Sequence, residues 1–138
     1  EIERVRAHVR EILAQRLPAA TGGPLDRAIG VGGTVTAFAA LDLGLSKYDP
    51  ARIENHHLAR ERIHAIERQL CETPLAERRE LAGVSRGRAD VIPAGSIILS
   101  EFVDRFPVGG VYVSTRGLRY GLVLAEARRQ LAARERTL

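Results

Sequence analysis

A short apolar run, Ala28-Ile29-Gly30-Val31, stops at the paired glycines Gly32-Gly33, and Thr34-Val35-Thr36 then opens a segment of helical pattern. The chain must pass from strand to helix within two residues, and only glycines make that turn without a side chain in the way. Such a turn lets backbone N–H groups approach an anion, with the positive end of the helix behind them. Gly32, Gly33 and Thr34 are therefore candidate phosphate-binding residues. The pattern is not a P-loop, which needs Lys and then Ser/Thr after its second glycine. It is not a dinucleotide fingerprint either, because Val35 occupies the third glycine position. A plain strand-to-helix turn with Thr34 as N-cap remains the alternative reading.

Around this turn the pattern alternates mostly between helices and loops. Ile2, Val5, Val9, Ile12, Leu13 and Leu17 form one helical stripe that Pro18 closes, and residues 19–24 read as a loop. Arg27 to Val31 reads as a buried strand, and Thr34 to Leu43 as a helix with Gly44 at its end. Asp49-Pro50 is a cap followed by proline at the first helical position. The apolar set Ile53, Leu58, Ile63, Ile66 and Leu70 then fits one helix, or a short turn and a helix from about Ala59. Thr73-Pro74 opens a short helix ending near Gly83. Asp90 to Phe106 is the most apolar helix, with Asp90 as its expected N-cap, Pro93 in its first turn and Pro107 as its stop. Gly110 to Ser114 is a second strand, Thr115 to Gly121 a turn, and Leu122 to about Arg134 a last helix.

Two short strands do not make a stable sheet alone, so the expected class is α/β, helix-rich, with further strands supplied from elsewhere. The composition includes no methionine, which leads to the expectation that these 138 residues are one piece of a larger protein. No apolar run approaches the roughly 20 residues that span a membrane. The single cysteine, Cys71, suits a reducing cytoplasm and reads as a half-buried helical residue. The net charge of +4 comes almost entirely from arginine, Lys47 being the one lysine. Arginines spread along helices, with few aromatics among them, make nucleic acid an unlikely partner but leave smaller anions open.

Two further segments carry candidate side chains. In Arg88-Ala89-Asp90-Val91-Ile92-Pro93-Ala94-Gly95, Arg88 could pair with Asp90 or with a carboxylate on another element, and both could support an anion site. Gly95 inside a helix signals close packing. In Ser114-Thr115-Arg116-Gly117-Leu118-Arg119-Tyr120-Gly121, Arg116 and Arg119 sit at the carboxyl end of a strand, the edge where open α/β sheets bind ligands. His56, His57 and His64 are close in sequence, but no cysteine or carboxylate cluster completes a zinc site. No catalytic set is recognisable among the residues of this chain.

Taken in order, Gly32-Gly33-Thr34-Val35-Thr36 with Ala39-Ala40-Leu41, the Glu77-Arg78-Arg79 to Gly83 stretch, Arg88 to Gly95, and Val113 to Gly121 resemble the exopolyphosphatase / guanosine pentaphosphate phosphohydrolase family, Ppx/GppA. The resemblance covers nearly the whole chain. It implies a ribonuclease-H-like domain of the actin, sugar-kinase and heat-shock-chaperone type. It also implies hydrolysis of terminal phosphoanhydride bonds in polyphosphate or guanosine pentaphosphate, with Mg²⁺ as cofactor. By the same resemblance the chain would correspond to the latter part of the second domain. The first phosphate loop, the catalytic glutamate and an Asp-Gly-Gly-Gly-Ser loop would lie upstream. Gly32, Gly33 and Thr34 would line the far side of the cleft, with Arg88 and Asp90 shaping the region behind. The sequence departs from the family at His56-His57, where His-Gly is usual, and at Tyr120, where Glu is expected. Two readings follow: an enzyme piece that is inactive alone, or a non-catalytic module that binds nucleotide or phosphate or self-associates through its exposed sheet edge; with upstream strands absent, a dimer or higher homo-oligomer is expected.

Overall fold

The computed structural model describes residues 1–17, 25–106 and 108–135. Its elements run α1 (Ile2–Arg16), β1 (Ile29–Val31), α2 (Gly33–Asp42), α3 (Pro50–Ile53), β2 (His57–Ala59), α4 (Arg60–Glu72), α5 (Leu75–Arg78), α6 (Ile92–Arg105), β3 (Gly110–Ser114) and α7 (Leu118–Glu135). The expected loop at 19–24 and the helix stops at Pro18 and Pro107 lie outside the described residues.

The strands form one sheet in the order β1-β3-β2. β1 runs parallel to β3, with Gly30 opposite Val113 and Val31 opposite Ser114. β2 runs antiparallel to β3, with Leu58 opposite Val111. Leu58, Val111 and Val113 are buried against a core that includes Phe38, Ile53, Ile63, Ile66, Leu70 and Val103, drawn largely from α2, α4 and α6. The face of β1 that carries Ile29 and Val31 stays open: Ile29 is 64% and Val31 52% exposed. A parallel pair is ordinarily covered on both faces, so this sheet is built to be continued or covered.

Several local readings hold. The Asp49 carboxylate accepts hydrogen bonds from the N–H groups of Ala51 and Arg52, with Pro50 at the first helical position. Gly44, at φ 61°, follows the end of α2 in the left-handed conformation. Cys71 is half-buried on α4, where burial pushes its thiol pKa up.

Other readings are corrected. In the segment 53–70 the second of the two arrangements holds, a turn and then a helix from Arg60, but a strand not expected from the spacing lies between them. Asn55, at φ 62°, turns the chain after α3, and its N–H donates to the Val113 carbonyl, which leads His57–Ala59 into a third strand. Backbone pairing with β3 overrides the helical spacing there. The segment after Pro74 forms only the four-residue α5, and the Thr73 hydroxyl turns back to the Gln69 carbonyl instead of capping it. Asp90 does not cap α6. Its carboxylate accepts from the neighbouring Val91 N–H, and the helix begins two residues later with Val91 as N-cap. α7 starts at Leu118, four residues earlier than the spacing suggests.

α1 buries no residue of its own. Val5, Val9 and Leu13 are half-buried, and charge ties the helix down further. Arg6 bridges the buried carboxylates of Glu67 (2.8 Å) and Glu101 (2.9 Å), and Arg10 adds a 2.6 Å contact to Glu101. Removing one member of a buried ion pair costs about 3–5 kcal/mol. Arg6→Ala should therefore speed amide exchange across residues 2–16 by on the order of 100-fold, while the sheet and α4 keep their protection. Unchanged exchange in α1 would refute electrostatic docking.

Candidate functional site: a carboxylate-free cleft

The register of β1 with β3 puts their carboxyl ends side by side, Val31 next to Ser114. Each strand runs straight into a turn at that edge: Gly32-Gly33 after β1, and residues 115–117 after β3. Between the turns opens a cleft of about 1100 Å³, walled further by Gly83 to Ser85, Arg88, Tyr48 and the first turns of α7.

The glycine turn has a specific build. Gly32 is the N-cap of α2 at φ 100°, a conformation that side chains rarely adopt, and no side chain caps the helix. The first turn of α2 carries no acidic residue. The Thr36 hydroxyl donates back to the carbonyls of Gly32 (3.2 Å) and Gly33 (3.3 Å), which tightens the turn. Thr36 and not Thr34 lines the cleft. Thr34 lies inside the helix, and its side chain fills the space where a Cβ at Gly95 would stand, 2.7 Å from its hydroxyl. Gly95 thus lets α6 close on α2, as a helical glycine suggested. Thr34 as helix cap is corrected to Gly32, and Thr34 can reach the cleft only through its backbone.

Arg88 comes from the short 3₁₀ turn Arg86–Arg88. Its guanidinium lies across Gly33, where any Cβ would overlap its Nη1. Neither partner open to Arg88 in the sequence, Asp90 or a carboxylate on another element, pairs with it among the described residues, and the exposed Asp90 carboxylate is outside the cleft lining. Arg119, on the first turn of α7, does line the cleft. Arg116 does not. It stacks over the Tyr120 ring, 5.2 Å from the centroid, with its Nε 3.7 Å from Glu54. The structure therefore gathers Gly32, Gly33, Arg88 and Arg119 at one cavity and leaves the side chains of Thr34, Asp90 and Arg116 outside it.

Glu54 was not visible as a site residue in the sequence. It ends α3, and its carboxylate accepts from the Thr115 hydroxyl (2.6 Å), the Thr115 N–H (2.6 Å) and the Ser114 hydroxyl (3.2 Å). It thereby fixes the turn on which the cleft wall depends. The one available signal was the Asp49-Pro50 cap, which sets where α3 must end.

The histidines serve structure. His56 meets Asp42 at 2.8 Å and His64 meets Asp104 at 3.1 Å, while His57 tilts against Tyr112 on the sheet. Burial raises the Asp42 pKa, but hydrogen bonds from Arg62 and His56 outweigh it and leave the carboxyl below its ordinary value. Among the described residues no group of three His, Cys, Asp or Glu could hold a metal ion. No carboxylate is among the residues that line the cleft. These residues do not fit a Mg²⁺ site, and no chemical step through the metal follows from them.

The Thr115 hydroxyl and N–H, with Ser114 and Arg116 adding to them, hold the Glu54 pKa below the ordinary glutamate value of about 4.3. Its contribution to stability is complete above that ordinary value and is lost as pH falls through the lowered folded value. The Thr115 amide resonance should accordingly titrate with a midpoint below about 4.3, and Glu54→Gln should abolish that titration. A midpoint at or above the ordinary value would contradict the assignment.

The comparisons with known proteins point one way. The Ppx/GppA phosphatase family profile matches residues 1–130. Exopolyphosphatase 2 of Mycobacterium tuberculosis is 30% identical over 134 residues, covering 92% of this chain and 41% of that protein. The crystal structure of the Aquifex aeolicus member of the Ppx/GppA family superposes with a TM-score of 0.84 at 28% identity, over 94% of this chain and 41% of that one. An exopolyphosphatase from Cytophaga hutchinsonii shares the fold at a TM-score of 0.76 and 19% identity, over 91% of this chain and 41% of that one. The chain spans about two fifths of the length of these relatives. Its helix-rich α/β architecture is that of the actin-like ATPase fold, and the chain belongs to the Ppx/GppA phosphatase family.

Proposed function

We propose that this chain is the phosphate-holding wall of a phosphoanhydride hydrolase that removes terminal phosphate from inorganic polyphosphate or guanosine pentaphosphate. It would form the latter part of the second domain, acting in the cytoplasm with Mg²⁺. The observation that carries the reading is the cleft itself. The uncapped N-terminus of α2, Arg88 and Arg119 converge on a cavity with no carboxylate in its lining. Backbone N–H groups at a helix start and arginine guanidinium groups are donors suited to phosphate oxygens. The backbone of Gly32, Gly33 and Thr34 would contact phosphate directly, and Arg88 would neutralise it from above Gly33. Arg116 supports the wall from behind, and Asp90 supports the turn that leads into α6.

Hydrolysis also needs a positioned, activated water and charge neutralisation at the leaving group. No residue in the cleft lining is a carboxylate or histidine that could take a proton. The catalytic groups are then to be sought in the remaining part of a family-length protein. A second reading, a self-associating binding module, draws on one observation: β1 is an edge strand with Ile29 and Val31 exposed, and such an edge invites a further strand.

Isothermal titration with tripolyphosphate tests the binding role. Gly33→Ala displaces the flexible end of Arg88 rather than backbone. It and Arg88→Gln should each weaken binding by about 10-fold, the scale of one charge-assisted hydrogen bond. Wild-type affinity in both variants would defeat the proposal. With Mg²⁺ and either substrate, the 138 residues alone should release no phosphate. Release by this chain would place the catalytic groups within it.

A further inference from the structure

Two turns line the cleft, one after β1 and one after β3, and their donors are treated differently. At the glycine turn no side chain caps the start of α2. At the turn after β3 the donors are already taken. The Thr115 N–H (2.6 Å), the Thr115 hydroxyl (2.6 Å) and the Ser114 hydroxyl (3.2 Å) all donate to the Glu54 carboxylate. The Arg116 guanidinium adds its charge, with Nε 3.7 Å from Glu54. The Arg116 N–H donates to the Ser114 oxygen at 3.1 Å, which leaves the Ser114 proton directed at Glu54.

Backbone N–H, hydroxyl and guanidinium groups gathered at one turn are the donors that phosphate oxygens meet in proteins. Here a side chain 60 residues away in the sequence supplies the negative oxygens instead. Ser114 and Thr115 line the cleft and Glu54 does not, so the carboxylate reaches these donors from outside the cavity. The lowered Glu54 pKa agrees with that arrangement, because the donors favour the charged carboxylate. An anion in the cleft therefore meets hydroxyls whose protons point away from it, backed by a like charge. Such a wall disfavours phosphate, whereas the glycine turn and Arg88 favour it.

We propose that Glu54 is a positioning residue of the cleft: its carboxylate takes the place of an anion at the turn after β3, so that a phosphate chain engages the glycine turn and not the opposite wall. The proposal rests on the phosphate-binding reading of the cleft. Glu54 acts through Ser114 and Thr115 and touches no ligand itself. While it is ionised, one wall binds and the other only bounds the cavity. Without its charge, the Thr115 N–H and hydroxyl become free to meet the anion, and both walls bind. A purely structural brace would have the opposite sign, since its removal would loosen the turn and weaken binding.

The test titrates tripolyphosphate into ¹⁵N-labelled chain at neutral pH, with calorimetry for affinity and amide signals for location. In wild type the Gly33 amide should shift and the Thr115 amide should stay. In Glu54→Ala the Thr115 amide should shift as well, and affinity should rise on the order of 10-fold, the scale of one charge-assisted hydrogen bond gained. Glu54→Gln keeps the shape and an acceptor while dropping the charge, so its affinity should fall between the two. It carries the test if the alanine variant does not fold, and the amide spectrum of β2 and β3 verifies the fold of each. Affinity equal to or below wild type in the folded variants, or a Thr115 shift already present in wild type, would overturn the role of Glu54 and leave the glycine-turn reading standing. A Thr115 shift in Glu54→Ala with Gly33 silent in both proteins would uphold Glu54 and overturn the glycine turn. Binding by neither protein would overturn both.

Discussion

The parallel pairing of β1 with β3 is the constraint on which the rest of the molecule depends. It joins strands separated by nearly eighty residues, and it closes with the Tyr112 N–H on the Ala28 carbonyl at 2.9 Å. Parallel strands end on the same edge. The turn after each strand therefore opens into the same space, and the cleft follows from topology before any side chain is considered. Gly30 shows how tight the pairing is. A Cβ there would stand 2.7 Å from Val35 and 2.8 Å from Val111, so α2 can fold back over β1 only if this position is bare. Gly83 does the same for the cleft's other wall, at φ 86° and with a Cβ position 2.6 Å from that of Ala40.

Behind the sheet, charge does work that apolar contact does elsewhere. Glu67 and Glu101 are buried between α4, α6 and α1, and two arginines of α1 neutralise them. Asp42 at the end of α2 ties His56 and Arg62 together in the same way, at 2.8 and 2.6 Å. These pairs are directional, and each ties together elements that come from separate parts of the sequence. They locate the helices around the core more than they add to its stability, since burying ions costs nearly what pairing returns.

The strand-turn-helix at residues 29–42 and the strand at 110–114 were legible because glycines and short β-branched runs are local signals. So was Asp49 as a cap, whose partners lie two and three residues away. β2 was not legible. His57, Leu58 and Ala59 carry no strand propensity as a group, and they extend only because Val113 accepts the Asn55 N–H and donates to the His56 carbonyl. The site divides along the same line. Gly32, Gly33, Arg88 and Arg119 were visible as residue types at the ends of elements. That Arg88 covers Gly33 instead of meeting Asp90 depends on how the 86–88 turn packs across α2, and spacing does not encode it. Glu54 was invisible for a similar reason, since its partners are sixty residues away.

The contact of Arg88 with Gly33 has a consequence for how an anion would be received. The guanidinium is exposed, lies over the helix start that offers N–H donors, and among the described residues forms no ion pair with a carboxylate. Helix dipole and arginine therefore act on the same small volume, and the arginine must move within it as an anion enters. An arginine tied to Asp90 would have had to break that pair first, at a cost set against binding. Guanidinium, bare glycine and a lining without a carboxylate among the described residues suit this region to an anion.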